Sequence, residues 1–485
     1  MLNKLGYLKD FMFKKLSLKL CILFSVAILV GCTSIGINDL FFGYSQQMKQ
    51  SRSAQLKGEF VKAETSVISV NSHHNNYGLS QLEKARLQFL ANNWLLSQKF
   101  FEIAYKQVQA QEQAAKIQIS RGLKKASAVV TNDNAIAYEI PSYEQSMLHS
   151  YQALNYLYQG NLEGALVEVR RANLVQERAL KTNKEERYKA QEEMADKGVN
   201  TNKLYENYPS MDNLMGNVKN SFQNAYTFYL SGLLYEAGKQ PNDAYIDYKR
   251  AIEIYPNNIY LQQDVLRLAK KLGMYEEFSQ FEQRFGQYKT VDKKNSGQIV
   301  IIFEQGIVNS REEVKFNLPV YKTNSNVKFF TFALPVYRGR LSMLTPINIS
   351  INEKSYISQE IVRLQSLATK ELKDNLPGLV TRQALRLVAK EQLRQNMKKS
   401  GGDVGNILAS LYNVASEKAD TRSWSSLPDN VQIMKLDNIT VGHKKLVISY
   451  AGKKETIEID VIENGTTLIN FTAIGDYTGY QTINL

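Results

Sequence analysis

The sequence predicts a multidomain α+β chain: an N-terminal array of α-helical hairpins, then a mixed, β-sandwich-like C-terminal domain with packed helices. Three observations predict it. Apolar residues recur at helical spacing over residues 81–285. Small and aromatic residues repeat there at a fixed interval. After residue 296 the chain turns to short β-branched runs separated by turn signals. A length of 485 residues fits about two or three domains, each able to bury a core without disulfides.

Residues 1–31 read as a leader. Lys4, Lys9, Lys14, Lys15 and Lys19 precede an almost wholly apolar run, Leu20 to Val30, and Gly31-Cys32 follows. Leu29-Val30-Gly31-Cys32 resembles the lipobox of bacterial lipoproteins, in which the cysteine thiol receives a diacylglycerol and becomes the first residue. Cys32 is therefore the expected lipid attachment site. Thr33 stands where an inner-membrane retention signal would have Asp, which resembles an outer-membrane address. The other cysteine, Cys21, leaves with the leader, so no thiol remains for a disulfide, catalysis or metal. Loss of five Lys and one Asp lowers the net charge from +13 to +9. That basic balance favours anionic partners such as lipid headgroups, and export makes nucleic acid an unsuitable one. No internal stretch approaches the ~18 apolar residues of a membrane-spanning helix.

Residues 32–80, rich in Ser, Asn and Gln, read as a lipidated tether ending in a first helix. Within 81–285, Phe228, Gly232, Tyr235, Ala244, Tyr248, Ala251 and Pro256 take positions 4, 8, 11, 20, 24, 27 and 32 of a 34-residue unit, the tetratricopeptide pattern. Gly232 and Ala244 are small where two helices must cross closely. His149, Ala153, Tyr156, Ala165, Val169 and Ala172 align as an earlier unit, with weaker copies at 82–110 and 259–285. A charged insertion spans roughly 182–220, and 286–296 reads as a linker.

In the β-rich domain, 297–485, strands are expected at 298–303, 328–334, 347–351, 431–436, 445–450, 456–462 and 467–472. Asn464-Gly465 marks a hairpin turn. Helices are expected at about 357–418, with Pro377 dividing two of them.

Motifs for catalysis are scarce. There is no phosphate loop, no dinucleotide fingerprint and no nucleophile elbow. His73, His74, His149 and His443 are too scattered for a zinc site. The reading is a non-enzymatic chain with no cofactor, no metal and no evident small-molecule substrate. Helical repeats bind partners through the first helix of each hairpin, so the expected groove is Met147, Ser150, Leu154, Tyr158, Tyr226, Tyr229, Leu233 and Glu236. Its occupant is either another protein or this chain's own C-terminal domain. Arg382, Arg386, Lys390, Arg394 and Lys398 form a basic stripe at i, i+4 spacing, where like charges repel. It reads as a phosphate or acidic-partner contact, or as a face relieved by acids elsewhere in the fold. Asp420-Thr421-Arg422-Ser423-Trp424 reads as a buried clasp, with Asp420 paired to Arg422 and Trp424 plugging the helix–sheet junction.

The chain resembles a family of bacterial tetratricopeptide-repeat lipoproteins through Ala165–Asn173, the Arg382/Arg386/Lys390 helix, and Ala419–Trp424 with Leu427-Pro428. Members often neighbour lipoproteins resembling the curli secretion pore or the activator of penicillin-binding proteins. The resemblance implies an outer-membrane, lipid-anchored scaffold that contacts other envelope proteins. A regulator of a peptidoglycan synthase is an alternative, and an envelope hydrolase is one of another class.

Overall fold

A computed structural model describes residues 42–120, 133–196, 208–288, 295–321, 327–351, 354–384, 386–387 and 418–485. Cys32 and the expected helix at 404–418 therefore lie outside the described residues, apart from Lys418. The described residues open with three short helices, α1 (Tyr44–Gln47), α2 (Lys49–Leu56) and α3 (Phe60–Thr65). This corrects the expected tether: from Tyr44 onward the segment packs, with Tyr44, Met48, Ala54, Phe60 and Ala63 buried in the core. Its frequent polar residues are partly internal bonds, such as Ser51 donating to the Ala63 carbonyl.

Four helix hairpins follow: α4 (Tyr77–Leu90) with α5 (Trp94–Ser120), α6 (Ser142–Tyr158) with α7 (Leu162–Asp196), α9 (Ala225–Ala237) with α10 (Pro241–Ile254), and α11 (Ile259–Lys271) with α12 (Tyr275–Phe285). A short helix, α8 (Asp212–Met215), precedes the third. The repeat positions do what their sizes predict. Ala153, Ala165, Ala172, Ala244 and Ala251 have no exposure. A Cβ on Gly232 would lie 2.6 Å from the Tyr248 ring, so only glycine lets α9 approach α10 this closely. Asn224 and Asn258 start α9 and α11, each side chain accepting two backbone N–H groups of the first turn.

The β-rich part contains β1 (Ser296–Gln305), the hairpin β2 (Glu312–Tyr321) and β3 (Val327–Val336), β4 (Asn348–Ile351), β5 (Lys354–Ile357), β6 (Gln359–Arg363), a helix α13 over 364–384, and β7 (Asn430–Thr440) to β8 (Gly442–Tyr450), β9 (Lys453–Val461), β10 (Thr466–Ile474) and β11 (Tyr477–Asn484). One sheet has the order β11-β10-β1-β7-β6, a second β5-β4-β8-β9, and β2-β3 stands apart. β1 and β10 run parallel and pair Ile302 with Asn470. Each expected strand is present, but β2, β5, β6 and β11 went unpredicted: β2 alternates Val314, Phe316, Leu318 and Val320 with other residues but contains Pro319, which reads against a strand, and the other three are short or polar. Two helix expectations are corrected. Residues 357–363 are mostly strand, and α13 runs unbroken through Pro377. A mid-helix proline removes one hydrogen bond and strains the helix, but Leu372, Leu376 and Val380 are buried on either side and hold it in place.

β1 is buried on both faces. Phe303 meets Tyr450 of the second sheet, while its neighbour Glu304 points at the helical array. The five-stranded sheet is thus the middle layer, between the repeats and the smaller sheet.

Candidate functional site

The expected partner groove is occupied by the protein itself. Met147, Ser150, Leu154, Tyr226, Tyr229 and Leu233 are buried, and Tyr158 and Glu236 half-buried. Of the two occupants the sequence left open, the chain's own C-terminal part is the one present, and the reading as a groove for an outside partner is corrected. A sheet buried on both faces needs an apolar cover, and the inner face of the repeats supplies it.

Two polar centres fix this contact. In the first, Arg86 of α4 donates to Glu304 of β1 at 2.5 Å, and Tyr151 of α6 donates to the other Glu304 oxygen at 2.8 Å. The Arg86 guanidinium also lies over the Tyr151 ring, 4.4 Å from its centre. Burial opposes the Arg86 charge, but the Glu304 carboxylate outweighs it and holds the pKa above its ordinary value. In the second, Asp264 of α11 receives Lys435 of β7 at 2.6 Å and Arg267 at 2.7 Å, and Arg267 also binds Glu236 at 2.6 Å. Burial works to raise the Asp264 and Glu236 pKa values, yet the adjacent cations hold both below the usual carboxylate range.

A third contact seats an extended segment, residues 419–429, against the first two hairpins. Glu144 accepts the Trp424 N–H at 3.0 Å. Glu83 accepts the Ser425 N–H at 2.7 Å, the Ser425 hydroxyl at 2.7 Å, and the Ser426 N–H at 3.0 Å. Three consecutive backbone donors are thus held by two carboxylates that have no exposure. Trp424 is wedged edge-on to Phe101 and Tyr151. Asp420 pairs with Arg422 at 2.7 Å, and Arg422 donates to the carbonyls of Ile136 and Asp133. This is the clasp that the sequence suggested.

Desolvation pushes the Glu144 carboxyl up to about 7, against the bonds from Trp424, Tyr143 and Tyr138. Glu83 is raised by the same cause. A raised acid in an open cleft would favour a hydrolase; these two are sealed and their lone pairs are engaged by the backbone and by tyrosine hydroxyls.

The basic stripe divides. Arg386 is buried and binds Asp133 through two contacts at 3.2 Å, with Arg382 3.5 Å from the same carboxylate. Of the two readings the sequence left for the stripe, relief by an acid elsewhere in the fold is the one seen at these two positions: Arg386 is spent on Asp133, and half-exposed Arg382 lies beside the same carboxylate. Lys390, Arg394 and Lys398 lie outside the described residues. Elsewhere, Arg171 binds Glu168 at 2.6 Å, and Glu168 also meets buried His149 at 2.7 Å, a helix-packing role. Among the described residues, no three His, Cys, Asp or Glu side chains gather to hold a metal, and no helix is long and apolar enough to cross a membrane.

Sequence reading missed Glu83, Arg86, Glu144, Asp264, Glu304 and Lys435. Glu304 directly follows the apolar run Ile299–Phe303 and Lys435 lies within the mainly apolar Val431–Leu436, whereas Glu83, Arg86, Glu144 and Asp264 lie among other polar residues of amphipathic helices, where nothing local sets them apart. A charge in an apolar run needs a buried counter-charge or a set of donors, and that requirement was the available signal for the first two.

No protein-family model matches the chain, and no curated protein matches it in sequence. Solved structures similar in part are MamA, at 12% identity over 48% of this chain and 91% of that one with a TM-score of 0.26, and the TPR-like repeats of a Podosopora anserina putative kinesin light chain, at 13% identity over 49% and 91% with a TM-score of 0.26. Scores this low carry no weight; the repeat assignment stands on the four hairpins and their small residues.

Proposed function

We propose that the protein is a non-enzymatic, lipid-anchored envelope scaffold, attached to the outer membrane through Cys32, whose repeats frame its own β-rich domain and whose outer faces meet other envelope proteins. One observation supports the internal frame above all: Glu83 and Glu144 grip the 424–426 backbone inside the array. Peptide capture, the usual work of a repeat groove, is here spent on the chain's own segment. Recognition of partners then falls to the outer helices, where Val167, Leu174 and Ile246 are exposed. Regulation of a peptidoglycan synthase is one task that such a scaffold would serve.

The test is photocrosslinking in intact cells from positions Leu174 and Ile246, with Tyr226 as the buried control and Cys32→Ser as the unanchored control. A defined envelope partner captured from the outer positions, and lost with Cys32→Ser, supports the reading. An empty or random capture from both outer positions overturns the scaffold.

A further inference from the structure

The end of the five-stranded sheet at which β1 and β10 finish carries an unusual surface. The loop 337–347 crosses it with no regular structure, yet it is pinned. The Ser342 carbonyl accepts from Arg363 at 2.8 Å, and the Ser342 hydroxyl binds Asp429. Gln305, at the end of β1, donates to the Met343 carbonyl at 3.4 Å and accepts the Thr345 N–H at 3.3 Å. Thus held, the loop presents Met343, 86% exposed, beside exposed Leu344 and Arg340.

The first described residues reach the same end. Arg52 of α2 donates to the carbonyls of Ser425 and Val308, just beyond β1, and the Leu56 carbonyl accepts the N–H of Asp476 in the β10–β11 turn. Phe42 and Leu56 are exposed apolar residues there. Lys49, Lys57 and Arg340 are exposed and form no ion pair among the described residues, while the exposed carboxylates close to α2 are Glu59, which feels Lys57, and Asp476. Single exposed apolar side chains need no explanation; apolar side chains interspersed with exposed cations at one end match the chemistry of a bilayer surface, with acyl chains for the first and anionic headgroups for the second. Position agrees. The ten residues from Cys32 to Phe42 span at most ~36 Å, so a lipid on Cys32 keeps this end near the membrane.

We propose that this end, through Met343, Leu344, Arg340 and the α2 cations, is a membrane-docking face that seats the body against a bilayer bearing anionic headgroups. The proposal rests on the lipid-anchor reading. The full chain is produced in cells that process the leader, with Met343→Cys or, at the opposite end of the sheet, Ile462→Cys, where Ile462 is also exposed. The new thiol carries an NBD fluorophore, and vesicles of phosphatidylethanolamine and phosphatidylglycerol contain a spin-labelled lipid. The Met343→Cys label should be quenched several-fold more than the Ile462→Cys label, and the difference should shrink in phosphatidylcholine vesicles. Protein that stays on the vesicles with both labels quenched alike overturns the docking face and leaves the anchor standing. Protein that does not stay on them overturns both. A difference indifferent to headgroup charge overturns the part assigned to Arg340, Lys49 and Lys57.

Discussion

Arg86 and Glu304, 218 residues apart in sequence, form an ion pair at 2.5 Å with neither side chain exposed to solvent. It ties the first repeat hairpin to the central strand of the sheet. Removing one partner of such a pair leaves a buried charge without compensation, at a cost of about 3–5 kcal/mol. Arg86→Met and Glu304→Leu should each lower the urea midpoint accordingly. The double variant Arg86→Met/Glu304→Leu should recover much of that loss, because the desolvation of both charges disappears. A double variant as unstable as the sum of the singles would show that the pair is not one unit.

The second centre predicts the acid limb of stability. Asp264 and Glu236 are held below their ordinary values of 3.8 and 4.5 by Lys435 and Arg267. A depressed carboxylate stabilises the fold above its unfolded pKa, and the contribution is lost as pH falls through the lower folded value. Wild type should lose stability steeply below about pH 4. Asp264→Asn, which leaves Lys435 buried without its carboxylate, should be less stable at pH 7 and flatter below pH 4. Thermal midpoints across that range decide it; parallel curves would remove Asp264 from the explanation.

Glu144 acts with the opposite sign. Its folded pKa is raised from 4.5 to about 7, so the native state holds a proton that the unfolded state releases. Stability should therefore fall as pH rises from about 4.5 to about 7, by an amount on the order of 3 kcal/mol, and then level off. Glu144→Gln cannot ionise and should flatten that slope. Denaturant titrations at pH 5 and pH 8 measure it, and an unchanged slope would mean that the carboxyl does not titrate in this window.

Gly232→Ala tests the repeat packing. Alanine favours a helix by about 1 kcal/mol over glycine, so an unconstrained site would gain stability. Here the added Cβ meets the Tyr248 ring at 2.6 Å, and overpacking of this kind costs about 1–3 kcal/mol. A lower melting temperature is expected. A rise would show that Tyr248 moves aside without penalty.

Much of this protein was legible in the sequence because its signals are local. Helical spacing, small residues at repeat positions and β-branched runs act within a few residues, so the helical hairpins and β7 to β10 follow from them; the hairpin expected at Asn464-Gly465 is corrected, because that turn carries the chain from β9 in one sheet to β10 in the other. The Asp420–Arg422 pair and the wedge at Trp424 were legible for the same reason. The destination of the repeat groove was not. Tyr226 and Tyr229 have the composition of a binding surface whether they meet a partner or a strand of the same chain. The parallel pairing of β1 with β10 joins residues more than 150 positions apart, with no turn to announce it. By itself the sequence determined the repeat helices and the strands β1, β3, β4 and β7 to β10, since hydrophobic period and side-chain size are properties of neighbours. Only the tertiary structure decided that the groove is filled, that Arg386 is spent on Asp133, and that Met343 and α2 lie at one end of the five-stranded sheet. Those outcomes depend on which distant surfaces leave water together, and on the requirement that every charge they bury find its opposite there.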